Sequence, residues 1–580
     1  MSAQTGRPNV VAPPPSSRRI DLARAQVDHL RNDPNPVWMR ELRQAARLTR
    51  TPVILAVITG VMALLICSVG GVASVATEPA KVGAALYHVF FSLAFAVVTW
   101  VAPAVAASTI SSERSGRTWE ALLLTGLGTP TIARGKFLAS FTYISLYIVM
   151  LSPVGALPFL FGGVTATDVV AAFALLFLIA VLSVAFGLSI SSKFASAAVA
   201  IVITLLVAFP LSIAVYLLGG VGLSFAAHEL WPAVPSGPPV WLPAAYARAD
   251  FGLEYVTFLV AAPLLSVAVP GWFFYEVTLA NMAGVSDDRS SGLRRWFLVC
   301  SLLLCVGCIV SIGAVPGVET PIVGLCVLVV FGVFAAFVFA GEPLGASRRV
   351  QVHWDRAKVG KARRFFGPGL VRASVTGIAF SVLALLAVAA AAVAFNYARG
   401  GSGDDATRVV SFAVYSCAFL LFLFGFGAWT RARSLTSAVP RVLLVGMLFL
   451  ALAGPWLAMA IAGILSDGSD EALLVASPSP LYVFVMLDKI GGAEQELSLI
   501  AGAVAAAGWG FLGAGLLTAA ATRARRIVRE HELRLTKLDD LLAAEDNPQP
   551  EAALASEGEG AAQAPPDAAS GGQAPQEGAE

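Results

Sequence analysis

Long apolar runs separated by short polar segments dominate the pattern of this chain. A helix needs about 20 predominantly apolar residues to cross the hydrocarbon core of a bilayer. Runs of about that length lie near positions 52–76, 83–110, 137–162, 168–190, 196–219, 255–279, 296–315, 320–340, 374–397, 409–430, 442–465 and 497–521. The pattern therefore predicts an all-α polytopic membrane protein of about twelve transmembrane helices, arranged in two sets of six.

Basic residues are concentrated in every second loop between these runs. The loops at 111–136 and 341–374 are rich in arginine and lysine, whereas the loops on the other side hold few of either. Because cytoplasmic loops carry the excess of basic residues, this asymmetry predicts that both termini are cytoplasmic. Arginine and alanine are abundant, which favours a bacterial source and therefore the bacterial cytoplasmic (inner) membrane.

The polar ends and the two apolar halves predict six segments. Residues 1–34 form a disordered cytoplasmic lead, because they are rich in proline and polar residues and have no apolar core. Residues 544–580 form a disordered acidic tail for a similar compositional reason. The segments between them are an interfacial amphipathic helix at 35–50, a first six-helix transmembrane domain at 51–285, a second at 286–521 and a cytoplasmic amphipathic helix at 522–543. An outer loop at 220–251 contains several prolines, which argue against a regular helix there.

Composition narrows the class of protein further. The chain is 57% hydrophobic and 13% charged, which no soluble protein of this length requires. Its six cysteines all lie inside apolar runs. The spacing of Cys300, Cys305 and Cys308 superficially resembles an iron–sulfur site, but no further polar ligands are near, so we interpret them as small apolar side chains. We expect no metal site, no catalytic residues and no nucleic-acid partner.

The first polar segment with a specific pattern lies just before the first apolar run and reads N-P-V-W-M-R-E-L-R. Asn35 can cap a helix whose first position is Pro36. Arg40, Glu41 and Arg43 then alternate with apolar residues. This spacing predicts a helix in the membrane interface, and taken alone it is also typical of an anchor that only sets topology.

The second segment lies between the second and third apolar runs and reads E-R-S-G-R-T-W-E-A-L-L-L. Its pattern predicts a short amphipathic helix at the inner face of the bilayer, with an apolar surface flanked by charges and available to a soluble partner. Trp119 and Leu123 are i,i+4 neighbours on that surface, and Glu120 lies on another face. The predicted contact residues are Glu113, Arg114, Gly116, Arg117, Thr118, Trp119, Glu120, Leu122 and Leu123. Gly135 and Lys136 follow, just before the chain re-enters the membrane.

Together, these two segments resemble permeases of the ABC type-2 transporter family over roughly residues 35–285. The order, spacing and topological position of the residues carry this resemblance. It implies that the segment at 111–136 is a coupling helix, which docks on a separate nucleotide-binding ATPase subunit. It also implies that the chain is the permease subunit of an exporter, with membrane lipids around it and ATP and magnesium bound by the partner.

The chain itself has no recognisable nucleotide site. A P-loop needs Gly-Lys followed by Ser or Thr. Gly135 and Lys136 are followed by Phe137, and Gly360 and Lys361 are followed by Ala362. We therefore expect no enzyme activity and no bound cofactor on this chain, with ATP hydrolysis on another polypeptide.

Two questions remain open from the pattern alone. The loop at 341–374 occupies the same ordinal position in the second half as 111–136 does in the first, and it is either lipid-facing or a degenerate second coupling element. The two halves either pack as a pseudo-dimer, or the chain pairs with a second copy or a second permease.

The alternative function is an ATP-independent secondary transporter or a membrane scaffold. The scarcity of charge at mid-membrane argues against ion-coupled transport.

Overall fold

The computed structural model describes residues 34–47, 50–76, 78–232, 234, 242–284, 286–315, 317–465 and 474–546. In these residues the elements are helices, and there is no strand. The helices are α1 (Pro36–Arg47), α2 (Arg50–Ala76), α3 (Pro79–Ser115), α4 (Trp119–Leu124), α5 (Thr129–Gly155), α6 (Leu157–Phe161), α7 (Ala166–Ser191), α8 (Ala197–Ala214), α9 (Gly222–Leu230), α10 (Leu242–Arg248), α11 (Ala262–Met282), α12 (Ser291–Ala314), α13 (Glu319–Phe339), α14 (Arg348–Arg356), α15 (Lys361–Phe365), α16 (Leu370–Ala398), α17 (Gly403–Arg431), α18 (Ala438–Leu465), α19 (Tyr482–Lys489) and α20 (Gln495–Asp546).

Eleven helical stretches in the described residues are long and apolar enough to cross a membrane. The first predicted run corresponds to α2, a helix of 27 residues whose described apolar part is Ala56–Val72. The prediction of an all-α polytopic membrane protein is therefore confirmed. The count of twelve spans and the cytoplasmic placement of the termini stay predictions.

The outward faces of these helices are apolar, as expected of surfaces that contact lipid. Leu206 on α8 is 73% exposed, and Leu450 on α18 is 60% exposed. A soluble protein rarely leaves such contiguous apolar surface in water. Helices also satisfy every backbone hydrogen bond internally, which the hydrocarbon core demands.

The chain divides into two compact units that do not follow the predicted boundary between residues 285 and 286. The first unit comprises residues 1–328, 346–368 and 379–409, and the second comprises residues 329–345, 369–378 and 410–580. The predicted pair of six-helix domains therefore stays a prediction.

In the first unit, α3 lies at the centre and packs against α7 and α8. The closest approach is at Gly187 of α7, where an added Cβ would lie 2.2 Å from the carbonyl oxygen of Pro103. Small residues allow such contact between helix backbones, and dispersion forces then act over many atoms. Phe90, Phe91 and Phe173 pack together in the same core.

In the second unit, α17 and α20 also meet backbone to backbone. A Cβ added at Gly425 would lie 2.4 Å from the carbonyl oxygen of Gly513. Nearby, Leu370, Ala428 and Ala520 form a buried cluster. The helical segment α20 continues from the predicted span into the predicted cytoplasmic helix without a break and ends at Asp546, so residues 544–546 are helical rather than part of a disordered tail.

The outer loop at 220–251 contains more helix than its prolines indicated. α9 and α10 both lie within it, and Pro243 is the second residue of α10. This corrects the sequence interpretation, since proline in the first turn of a helix loses no hydrogen bond. The segments 1–33, 48–49 and 547–580 lie outside the described residues, so the disordered lead and most of the tail stay predictions.

Candidate functional site

Asn35 connects the two polar segments that the sequence singled out. Its Oδ1 accepts hydrogen bonds from the backbone N–H of Val37 at 3.0 Å and of Trp38 at 3.4 Å, so it caps α1 with Pro36 at the first helical position. Its Nδ2 donates to the carbonyl oxygen of Thr131 at 2.8 Å. The cap residue therefore also ties α1 to the beginning of α5.

Gly135 allows α1 to lie directly on α5. A Cβ at this position would lie 2.6 Å from Asn35 Oδ1 and 2.7 Å from the Cβ of Val37. Val37 is only 2% exposed, and the indole N–H of Trp38 donates to Thr142 Oγ1 at 3.3 Å. The glycine that the sequence placed at membrane re-entry therefore serves as a contact point for the N-terminal helix.

We expect Gly135→Ala to loosen α1, because the new methyl group needs the space held by Asn35 and Val37. Overpacking of this kind costs about 1–3 kcal/mol. The rate of tryptic cleavage within α1 measures the effect, since its arginines become accessible when the helix leaves α5. Gly128→Ala is the matched control, because its Cβ would meet only Pro130, at 3.6 Å. Equal cleavage rates in both variants would contradict the role of Gly135 as the contact point for α1.

Beside Gly135, four charged side chains form a network that joins α1, the end of α3 and the beginning of α5. Lys136 Nζ lies 2.9 Å from an oxygen of Glu41 and 2.9 Å from an oxygen of Glu113, and it donates to the carbonyl oxygen of Thr109 at 3.1 Å. Arg40 also pairs with both carboxylates. We refer to Arg40, Glu41, Glu113 and Lys136 as the ion network.

The ion network has balanced charge, and it is buried at Lys136 and Glu113 but exposed at Arg40, whose side chain is 42% exposed. The side chain of Lys136 is 1% exposed and that of Glu113 is 12% exposed. A buried charge is tolerated when it is paired and hydrogen-bonded, and removal of one partner leaves the other uncompensated. Glu113 therefore binds within its own chain, and its predicted contact with a soluble partner stays a prediction. Arg43, on the same helix, is exposed.

The charge state of the ion network makes the docking of α1 depend on pH. Burial alone would raise the pKa of the Glu41 carboxyl, but the charge of Lys136 and hydrogen bonds from Arg40 and Lys136 outweigh it and lower the pKa from its ordinary value of 4.5. A carboxyl whose pKa is lowered by folding contributes stability above its ordinary pKa and loses it as pH falls through the lowered value.

We therefore expect α1 to stay docked at neutral pH and to loosen only below pH 4.5. Hydrogen exchange of α1, corrected for the intrinsic rate at each pH, measures this. In Glu41→Gln the acid-dependent step should become smaller, because that carboxyl no longer titrates. A loosening centred near neutral pH would assign the docking to a different group.

The turn after α3 places the short helix α4. The backbone N–H of Thr118 donates to the carbonyl oxygen of Glu113 at 2.9 Å, and that of Arg117 donates to Arg114 at 3.3 Å. This is the Schellman pattern of a helix C-terminus, with Arg117 in the left-handed region at φ +56°. The hydroxyl of Thr118 also donates to the carbonyl oxygen of Glu113, at 3.3 Å. Gly116, just before this turn, is exposed.

α4 is fixed through one face and exposed through the other. Leu122 is 6% exposed and packs, together with Trp119, in a cluster with Val37, Ile110, Ile132, Ala133, Leu188 and Met282. The guanidinium of Arg114 lies 5.3 Å from the centroid of the Trp119 ring. Trp119 is therefore partly buried against this cluster, and its predicted contact with a partner beside Leu123 stays a prediction.

The exposed side of α4 and of the turn before it contains three of the predicted contact residues and one further leucine. Leu123 is 40% exposed and Leu124 is 87% exposed, and Glu120 and Arg117 are also exposed. Glu120, Leu123 and Leu124 are related by i,i+3 and i,i+4 spacing, so they share one face. We refer to Arg117, Glu120, Leu123 and Leu124 as the α4 outer face. Leu124 belongs to it although the sequence analysis did not select it.

The loop in the second half has a similar turn. After α14, the backbone N–H of Val359 donates to the carbonyl oxygen of Trp354 at 2.9 Å, and that of Lys358 donates to Asp355 at 3.1 Å. Lys358 has φ +47°, so a basic residue again occupies the left-handed position before a short helix, α15. Asp355 pairs with Arg364 at 2.8 Å. Sequence spacing did not predict this similarity, because the two turns share their backbone geometry but few of their residue types.

A cleft of about 640 Å³ lies among the membrane helices of the first unit. Its walls come from α3, α7, α8 and α11 and are mostly apolar, with Phe91, Phe95, Leu176, Ile179, Leu211 and Phe274 among them. Two of the few polar groups are bonded within the protein: Ser212 accepts from Trp100 Nε1 at 2.9 Å, and Tyr216 bonds Ser92 at 3.0 Å. The cleft therefore suits an apolar molecule, and a single sequence does not reveal it.

Irregular helix borders the cleft. A π-helical segment at Val215–Val221 contributes Tyr216, and a second one at Tyr255–Ala261 precedes Pro263, which also lines the cleft. Such segments are uncommon and occur frequently at functional sites. At one end, α10 contributes Leu242, and its Arg248 lies 3.7 Å from Asp168 at the beginning of α7.

Within the described residues, no group of three or more His, Cys, Asp or Glu side chains comes together in a way that could hold a metal ion. Comparison of the chain with family models, with curated proteins and with solved structures finds no match. The features that bear on function are therefore the ion network, the α4 outer face and the cleft.

Proposed function

We propose that this chain is the permease subunit of an ABC exporter of type-2 architecture, with hydrolysis of ATP on a separate ATPase subunit. The observation that carries the proposal is the ion network. It fastens α1 and the beginning of α5 to the end of α3, so that the turn into α4 is held at both ends. A helix held in this way can transmit the displacement of a bound partner to α3 and α5, which continue into the membrane.

The α4 outer face supports a protein partner. Its two exposed leucines form a small apolar surface, and Arg117 and Glu120 provide charges of both signs beside it. Interfaces commonly combine a central apolar anchor with polar groups at the rim. A groove with the complementary pattern on the ATPase would bind this face, while ATP and magnesium would stay on that subunit.

The cleft supports a substrate with a large apolar part. Its walls offer dispersion contacts and few hydroxyl groups, so a strongly polar molecule would lose hydration with little compensation. α3 contributes both to the cleft and to the ion network, and it thereby connects the proposed substrate path with the proposed coupling site.

We expect the tagged chain, purified from its own membranes in mild detergent, to co-isolate an ATPase with magnesium-dependent turnover. Once that subunit is washed away, ATP turnover should disappear, because the chain has no P-loop. Turnover by the chain alone would contradict the proposal. If no ATPase co-isolates and transport in vesicles proceeds without ATP, the chain is a secondary transporter instead.

A further inference from the structure

The helix α20 leaves the apolar region without a break. It is 52 residues long, and after Gly515 it contains neither glycine nor proline. At a rise of about 1.5 Å per residue, the part from 522 to 546 extends roughly 35 Å beyond the predicted membrane span. An uninterrupted helix cannot turn to lie flat on the bilayer, so a lipid surface does not explain its amphipathic pattern.

The beginning of this extension packs on its own chain. Ala520 and Ala524 are buried, and Val528 lies against Gly345 of the same unit. Further along, Leu538 is 54% exposed and Leu542 is 58% exposed. The second part of the extension therefore presents apolar side chains that the described residues leave exposed.

Leu538 and Leu542 follow a heptad pattern together with His531 and the half-buried Leu535, whereas the exposed Leu533 and Leu541 lie outside it. His531 and Leu538 are seven residues apart, Leu535 and Leu542 are also seven apart, and together they alternate at spacings of four and three. This is the spacing of the d and a positions in a coiled coil, with His531 as a polar member of the seam. In the same register, Arg534 is a g position and Asp539 is the following e position.

We propose that α20 pairs in parallel and in register with α20 of a second copy of this chain, through the seam from His531 to Leu542. Two copies anchored in one membrane by the same helix must run in the same direction. In a parallel pair, a g residue faces the e residue five positions further along the other helix. Arg534 of each copy therefore faces Asp539 of the other, and the charges are complementary.

The seam has only four layers, and anchoring compensates for its short length. Both helices are already formed at their membrane ends, so association does not bear the cost of helix nucleation. Confinement in one bilayer also raises the effective concentration of the second copy. The pairing rests on α20 alone and holds whether or not the proposed transport function is correct.

Disulfide formation in the full-length protein tests the pairing. The six native cysteines are replaced first, and one cysteine is then introduced at a time. Leu538→Cys, at the seam, should give a product of twice the 60.3 kDa chain mass under mild oxidation in membranes. Asp540→Cys, on the opposite side of the same helix turn, should give much less. Equal yields at both positions, or none at position 538, would overturn the proposal.

Charge exchange distinguishes a second copy from any other partner. Arg534→Asp alone and Asp539→Arg alone should each lower the yield at position 538 by about fivefold, because both pairs across the dimer become repulsive. The double variant Arg534→Asp/Asp539→Arg should restore it, since both pairs become attractive again. A disulfide to a different protein, or no recovery in the double variant, would assign the seam to another partner.

Discussion

Lys136→Met should release α1 from α5 and produce the largest local effect of any single substitution in this site. The ammonium group of Lys136 bonds Glu41, Glu113 and the carbonyl oxygen of Thr109, and the variant leaves two carboxylates with only Arg40 between them. Removal of one partner from a buried ion pair costs about 3 kcal/mol, which is roughly a hundredfold in an opening equilibrium. Hydrogen exchange of residues 36–47 measures this opening.

The controls for this prediction separate charge balance from volume. Lys193→Met is the matched control, because Lys193 is an exposed lysine in the loop between α7 and α8. Lys136→Met/Glu113→Gln removes one charge of each sign and leaves Arg40 paired with Glu41, so part of the protection should return. If the double variant exchanges as fast as the single one, packing of the lysine chain rather than charge balance holds α1.

Leu124→Asp should abolish association with the proposed ATPase subunit while the chain itself folds normally. Leu124 is 87% exposed, so its replacement disturbs little within the protein. An apolar anchor buried in a partner groove contributes about 2 kcal/mol or more, and a charged replacement also has to be desolvated there. Co-purification of the ATPase and stimulation of its turnover measure the effect, with membrane yield as the folding control.

Two further variants identify which loop binds. Leu435→Asp is the matched control, because Leu435 is a fully exposed leucine in the loop between α17 and α18, on the same predicted side of the membrane. Asp355→Lys tests the second loop and should have the smaller effect, because Asp355 is engaged with Arg364. If Asp355→Lys abolishes association and Leu124→Asp does not, the loop at 341–374, through α14, rather than α4 is the docking element. Loss in both would make the loops two working coupling elements.

Substitutions of Glu113 and of Glu120 should have different effects, although sequence spacing grouped both as contact residues. Glu113 is held by Arg40 and Lys136, so its reversal would disturb α1 before it could affect a partner. Glu120 is exposed on the α4 outer face. A loss of association in Glu113→Lys would therefore report internal packing, whereas the same loss in Glu120→Lys would report docking.

The membrane helices could be predicted from the sequence because the hydrocarbon core of a bilayer requires long apolar segments. A run of about 20 apolar residues has few alternatives to a helix in hydrocarbon, where each backbone group must find a partner within its own segment. The cap at Asn35 and Pro36 was also predictable, because it depends on neighbouring residues and their local geometry. Helices formed wherever these local rules apply, including in the proline-containing loop around Pro243.

Only the tertiary structure determined which side chains of the polar segments face inward. Spacing shows which side chains of α4 lie one helical turn apart, but it cannot predict which face is covered by α1, α5 and α7. Trp119 packs against the apolar cluster around Leu122, and Glu41 reaches Lys136 because Gly135 lets α1 approach α5 closely. The cleft likewise arises from several helices distant in sequence. Local rules fix the elements from neighbouring residues, whereas these contacts depend on residues far apart in the chain, and no local pattern encodes their distances.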